Sequence, residues 1–180
     1  MNKVSPIKDK SDIEKIKGYL ENENIRNYLL FTIGINTAIK SNLILNLKLS
    51  DIVDEEYKVR ENIELEDRKY YINEAIQNAI DKFLEKKALG LDDYLFESQK
   101  SNMPINRSHL YKILRNTVKG CDIDINVGNE TLRKTFGYHY YYQTGDIKYL
   151  KTMFNKTSTK KLFEYLGIEE PIKNTSKFYL

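Results

Sequence analysis

The chain has 180 residues, 41% of them hydrophobic, with 29 Lys and Arg against 26 Asp and Glu and a formal net charge of +3. This length and apolar share suit one compact domain with a buried core, and no segment approaches the roughly 18 consecutive apolar residues of a membrane-spanning helix. The single cysteine, Cys121, excludes an internal disulfide, and with only His109 and His139 beside it there is no recognisable zinc-binding spacing.

In chain order, Ser11-Asp12-Ile13-Glu14 reads as a capping box opening a helix to about Glu21. From Asn24 the residues Ile25, Tyr28, Leu29, Thr32 and Ile33 recur at helical spacing, and a second apolar segment, Leu43 to Leu49, ends before Ser50 and Asp51. Two β-leaning runs, Tyr57–Arg60 and Lys69–Ile72, flank the charged stretch ENIELEDR and predict a hairpin or small sheet. Asn73 caps a helix with Ile76, Ala79, Ile80, Phe83 and Leu84 on one face, stopping near Gly90.

Pro104 and Asn106 mark the loop before a helix carrying Leu110, Ile113, Leu114 and Val118 and ending at Gly120. Asn129 is the expected cap of a following helix that Gly145 stops; Asp146 caps a short one through Leu150, and Thr157 or Ser158 opens the last. The expected fold is therefore mainly helical with a small β-hairpin or sheet, in one domain spanning residues 1–180.

Charge is uneven along this order. Residues 1–106 carry 16 basic against 19 acidic side chains, whereas residues 107–161 carry 11 against 4, a net of +7. Such a basic segment is the electrostatic footprint of a phosphate-bearing partner, with Arg107, Lys112, Arg115, Lys119 and Lys134 as the expected DNA-binding cations.

The same segment holds TLRKTFGYHYYYQTG from Thr131 and FNKTSTKKLFEYLGI from Phe154. A guanidinium fork such as that of Arg133 matches a phosphate, and a tyrosine hydroxyl such as that of Tyr165 can attack phosphorus to form a phosphotyrosine. These blocks resemble the tyrosine recombinase (phage integrase) family, which writes them as His-x-x-Arg-(Lys/Arg)-Thr-Phe and Leu-(Asn/Gly)-His-Ser-Ser, with the nucleophilic tyrosine nine residues after the second histidine. Glu130 and Lys156 stand at the two histidine positions, and Lys40, in TAIKSNLI, at that of the family's first arginine. The family's hairpin lysine falls near Asn62 or Ile63, with no base between Glu61 and Asp67.

The resemblance runs from about Pro6 to Ile168 and implies the tyrosine recombinase catalytic fold without the core-binding domain that usually precedes it. It implies DNA recombination or integration through a phosphotyrosine intermediate, without metal or ATP. The implied site is Tyr165 as nucleophile and Arg133 as phosphate clamp, with Lys40, Lys156 and Glu130 at the remaining positions. Double-stranded DNA is the implied partner, with the chain itself or another recombinase as a second and no membrane; a cytoplasmic location is expected. Only Arg133 and Tyr165 of six site positions keep the family's residue type, so weak strand cleavage is expected. The alternative is a catalytically silent relative that binds DNA or a recombinase partner; an interaction module without DNA affinity is a third.

Overall fold

In a computed structural model, residues 4–98 and 101–171 are described. Eight helices and two short antiparallel strand pairs are laid down among them: α1 (Lys10–Glu23), α2 (Ile25–Asn36), α3 (Ser41–Leu45), β1 (Asn62–Leu65), β2 (Arg68–Tyr71), α4 (Glu74–Lys86), β3 (Glu97–Ser98), β4 (Ser101–Pro104), α5 (Arg107–Gly120), α6 (Thr131–Thr144), α7 (Ile147–Met153) and α8 (Thr159–Leu166). The centre is α2, whose run Tyr28–Gly34 is buried all round. It packs against α1, α4 and α6. Gly34 permits the α2–α6 contact, since a Cβ there would lie 2.6 Å from Leu132 Cδ1. The apolar stripe of α4, with Ile76, Ala79, Ile80 and Phe83 buried, covers another side of α2 as its periodicity requires.

Several boundaries differ from the sequence expectation for identifiable reasons. α1 starts at Lys10 because the Asp9 carboxylate accepts the Ser11 N–H at 2.7 Å, which also holds Asp9 below the usual carboxylate range. Ser11 and Glu14 form no capping box; Glu14 pairs with Lys17 at 2.9 Å. The Leu43–Leu49 segment divides into α3 and a 3-10 turn, Leu49–Asp51. α4 ends at Lys86, before Gly90, and the chain beyond it docks on the 47–50 segment through Ser50 N–H to Leu91 O, Leu49 N–H to Asp93 O and Leu95 N–H to Leu47 O. The β3–β4 pair was not expected from the sequence, and its second strand ends at Pro104, read there as part of a loop.

The hairpin is built from the acidic stretch itself. Asn62–Leu65 pairs with Arg68–Tyr71 across Glu66 and Asp67, both at positive φ (48° and 61°), a backbone suited to a two-residue turn between twisted strands. Ile63 is fully buried while Glu64 beside it faces out, so period-2 burial fixes the register. Tyr57–Arg60 contributes only an isolated Val53–Val59 bridge.

The first described residues form a strap over α6. Ser5 N–H donates to Asn126 O, Ile7 N–H to Thr135 Oγ1 at 2.9 Å, and His139 Nε2 to Ile7 O at 2.9 Å. Ile7 is buried, and Pro6 lies against Gly167 just past α8. His139 is thus a half-buried strap anchor; burial holds its imidazole below the ordinary pKa.

Candidate active site

Two helices bring the site together. α6 begins at Glu130, whose side chain makes no cap bond; the entering turn is closed instead by Gly128 N–H donating to Thr131 Oγ1. Asn129 therefore caps nothing, and its Oδ1 is buried without a partner. α8 is capped by Ser158, whose hydroxyl accepts the Lys161 N–H, and is stopped by Gly167 at φ 72°. Its apolar face, Leu162 and Leu166, is buried and fixes which way Tyr165 points. Gly137 on α6 makes room for α8, because a Cβ there would lie 2.5 Å from Leu166 Cδ2 and 2.9 Å from Phe154 Cζ.

Arg133 is held on three sides. Its Nε donates to Ala38 O at 2.6 Å and its Nη2 to Met153 O at 2.7 Å, and its guanidinium lies 4.6 Å from the Phe154 ring centroid. The Tyr165 hydroxyl donates to Glu130 Oε2 at 2.5 Å. Lys156 Nζ stands 4.5 Å and Lys134 Nζ 4.9 Å from the Tyr165 ring centroid. Burial pushes the Tyr165 phenol well above the ordinary tyrosine range, the Glu130 hydrogen bond and charge add to the shift, and Arg133 opposes it.

Tyr165, Glu130, Arg133 and Lys156 are therefore neighbours, though drawn from separate parts of the chain. The Lys40 ammonium pairs at 3.5 Å with Glu66 on the hairpin tip, both side chains about half exposed. Lys134 departs from its expected place on a DNA-facing surface. It is only 4% exposed, and its ammonium donates to Val4 O at 2.7 Å beneath the strap. Arg107, Lys112, Arg115 and Lys119 are exposed on α5. A groove of about 500 Å³ passes Lys156 and is also lined by Lys148 and Lys151.

One cation escaped the sequence reading. Arg68, the first residue of β2, donates from Nη1 to Met153 O at 3.3 Å and from Nη2 to Asn155 Oδ1 at 3.2 Å. The run from Glu61 to Asp67, which holds no base, closes one residue short of it. The available signal was the Glu66-Asp67 pair as a turn, which would have placed Arg68 on the returning strand.

Residues 8–169 match the family described as the phage integrase family. The chain belongs to the phage integrase family. The probable integrase/recombinase YoeC of Bacillus subtilis (strain 168) is 36% identical over 171 residues, which is 94% of this chain and 93% of the relative. Among solved structures, the XerA recombinase superposes with a TM-score of 0.72 at 20% identity over 92% of this chain. The Tn1549 transposon integrase in complex with circular intermediate DNA gives 0.67 at 14% identity over 89%. A lambda integrase (75–356) dimer bound to a COC′ core site gives 0.63 at 14% identity over the whole chain. This integrase-family chain spans 59%, 60% and 63% of those three chains, and the likeness establishes a tyrosine recombinase catalytic-domain fold. Among the described residues no helix is long and apolar enough to cross a membrane.

Proposed function

We propose that this protein binds double-stranded DNA and breaks and rejoins one strand through a covalent bond between Tyr165 and phosphorus. The observation that carries this reading is the Tyr165 hydroxyl held on the Glu130 carboxylate beside the anchored Arg133 guanidinium. Tyr165 Oη attacks the phosphate as its proton passes to Glu130; the new O–P bond forms while the bond to the 5′-oxygen breaks. That oxygen leaves as a hydroxyl with a proton from solvent, and the reverse sequence reseals a strand. Arg133 and Lys156 hold the charge that develops on the phosphate, the kind of preorganised stabilisation that dominates such steps. The raised phenol pKa makes a proton acceptor at hydrogen-bond distance a requirement, and Glu130 meets it.

A second reading, a silent relative that binds DNA without cutting it, is favoured by Lys40 being engaged with Glu66 and by the apolar, buried Ile63 on the hairpin. One experiment separates them. The protein is incubated with a pool of nicked duplexes of randomised sequence and examined on a denaturing gel for a covalent protein–DNA band. The first reading expects a band with wild type and none with Tyr165→Phe. Salt-sensitive binding with no band selects the second, and a band that survives Tyr165→Phe removes Tyr165 as nucleophile.

A further inference from the structure

Arg68 and Arg133 reach the same carbonyl from two different elements. Arg133 Nη2 donates to Met153 O at 2.7 Å and Arg68 Nη1 at 3.3 Å, so the two nitrogens flank one oxygen. Guanidinium groups repel each other at this range unless an anion lies between or beside them. Among the described residues neither forms an ion pair, although Lys40, Lys48, Lys69 and Lys82 all find carboxylates. Arg133 also turns a donor toward the Tyr165 hydroxyl, and Arg68, which carries five N–H donors, engages two of them in its described contacts. Two adjacent guanidiniums that form no ion pair among the described residues, fixed on the carbonyl oxygens of Ala38 and Met153 and on Asn155 Oδ1, form an incomplete anion site.

We propose that Arg68 is the second guanidinium of the phosphate site, contacting the same phosphodiester as Arg133. It occupies from the hairpin a role that Lys40, drawn off by Glu66, does not fill. The phosphate sits over Met153 O, bridged by the two forks, with Lys156 on the adjoining loop and Tyr165 Oη behind it. Bidentate pairing with planar donors favours a tetrahedral oxyanion over a carboxylate of the protein itself, since the forks approach from two elements. The link to DNA rests on the function proposed above; the anion site does not.

The test uses the full chain and two probes. In the first, inorganic phosphate is titrated at low salt while the arginine Nε–H signals are followed by NMR. Arg68 and Arg133 are expected to shift along one saturation curve; Arg68→Ala weakens phosphate about 10-fold, Arg68→Lys less, and Lys40→Ala leaves it within about 2-fold. A shift confined to Arg133, no saturable shift, or equal losses for Arg68→Ala and Lys40→Ala overturns the proposal.

In the second, the covalent band is measured on nicked duplexes with either a phosphodiester or a neutral methylphosphonate at the cleaved position. Arg68→Ala should cut the phosphodiester band roughly 10²-fold, as for loss of one oxyanion donor, and the methylphosphonate should recover most of that loss. Failure to recover shows that Arg68 merely props Met153 and overturns the contact. Absence of any band with wild type defeats the cleavage reading, while the phosphate curves still decide Arg68.

Discussion

The Tyr165 hydroxyl, on the last helix, donates at 2.5 Å to a carboxylate of Glu130, the residue that starts α6. Acid and acceptor are placed by two caps: Thr131 closes the turn that an aspartate or asparagine side chain would otherwise close, which leaves Glu130 free, and Ser158 sets the phase of α8. Both residues are partly shielded from water, so the pair is sensitive to the charge on Glu130.

That sensitivity gives a pH prediction. Tyr165 should ionise well above the ordinary value of about 10, and Glu130→Gln should bring it down by removing a negative neighbour. The sign for stability follows from proton counts. Above about pH 10 the unfolded chain has lost the Tyr165 proton while the folded chain retains it, so stability falls with rising pH until the folded group also titrates. Tyr165→Phe is expected to flatten this part of the stability curve, with ultraviolet titration and denaturant melts between pH 8 and 11 as the measurements. Glu130→Gln should also lower covalent-band formation about 10²-fold, in line with loss of a general base.

Two glycines predict opposite effects of the same substitution. Gly137→Ala places a methyl against Leu166 and Phe154, and overpacking of this kind costs typically about 1–3 kcal/mol. It should lower the melting temperature and, by shifting α8, the covalent band as well. Gly18 is exposed in α1 with nothing within 4 Å of an added Cβ. Gly18→Ala should therefore raise stability by about 0.5–1 kcal/mol and leave activity unchanged.

Affinity for duplex DNA should fall steeply with salt, because each phosphate neutralised by Lys or Arg releases counterions. The exposed α5 cations Arg115 and Lys119 are expected to matter more than Lys86 and Lys87 at the end of α4. Fluorescence anisotropy on the double charge reversals Arg115→Glu/Lys119→Glu and Lys86→Glu/Lys87→Glu checks this. Equal losses from the two pairs would count against a basic α5 face.

The fold was legible where burial is periodic. The stripe of α4 could be read directly, because helical phase is a local property, whereas Arg133 and Tyr165 were singled out by the family resemblance of the blocks around them. What escaped depends on partners distant in sequence. Lys134 follows Arg133 by about 100° of helix rotation, enough to turn its ammonium onto the Val4 carbonyl of the strap, and nothing near it in sequence announces Val4. Arg68 was missed because its acceptors, Met153 and Asn155, lie 85 and 87 residues on. Asp9 displaced Ser11 as a cap because an ionised acceptor two residues earlier competes for the same backbone donors.

Trimming the chain at its front would be an electrical change more than a cosmetic one. Val4 lies far from Tyr165 in sequence, yet its carbonyl is where the ammonium of Lys134 is tethered, under 5 Å from the Tyr165 ring. A deletion through Ile7 would strip that tether together with the His139 and Thr135 anchors. Lys134 would then lose one of the contacts that place its charge beside the phenol, and the shortened protein would report a different tyrosine.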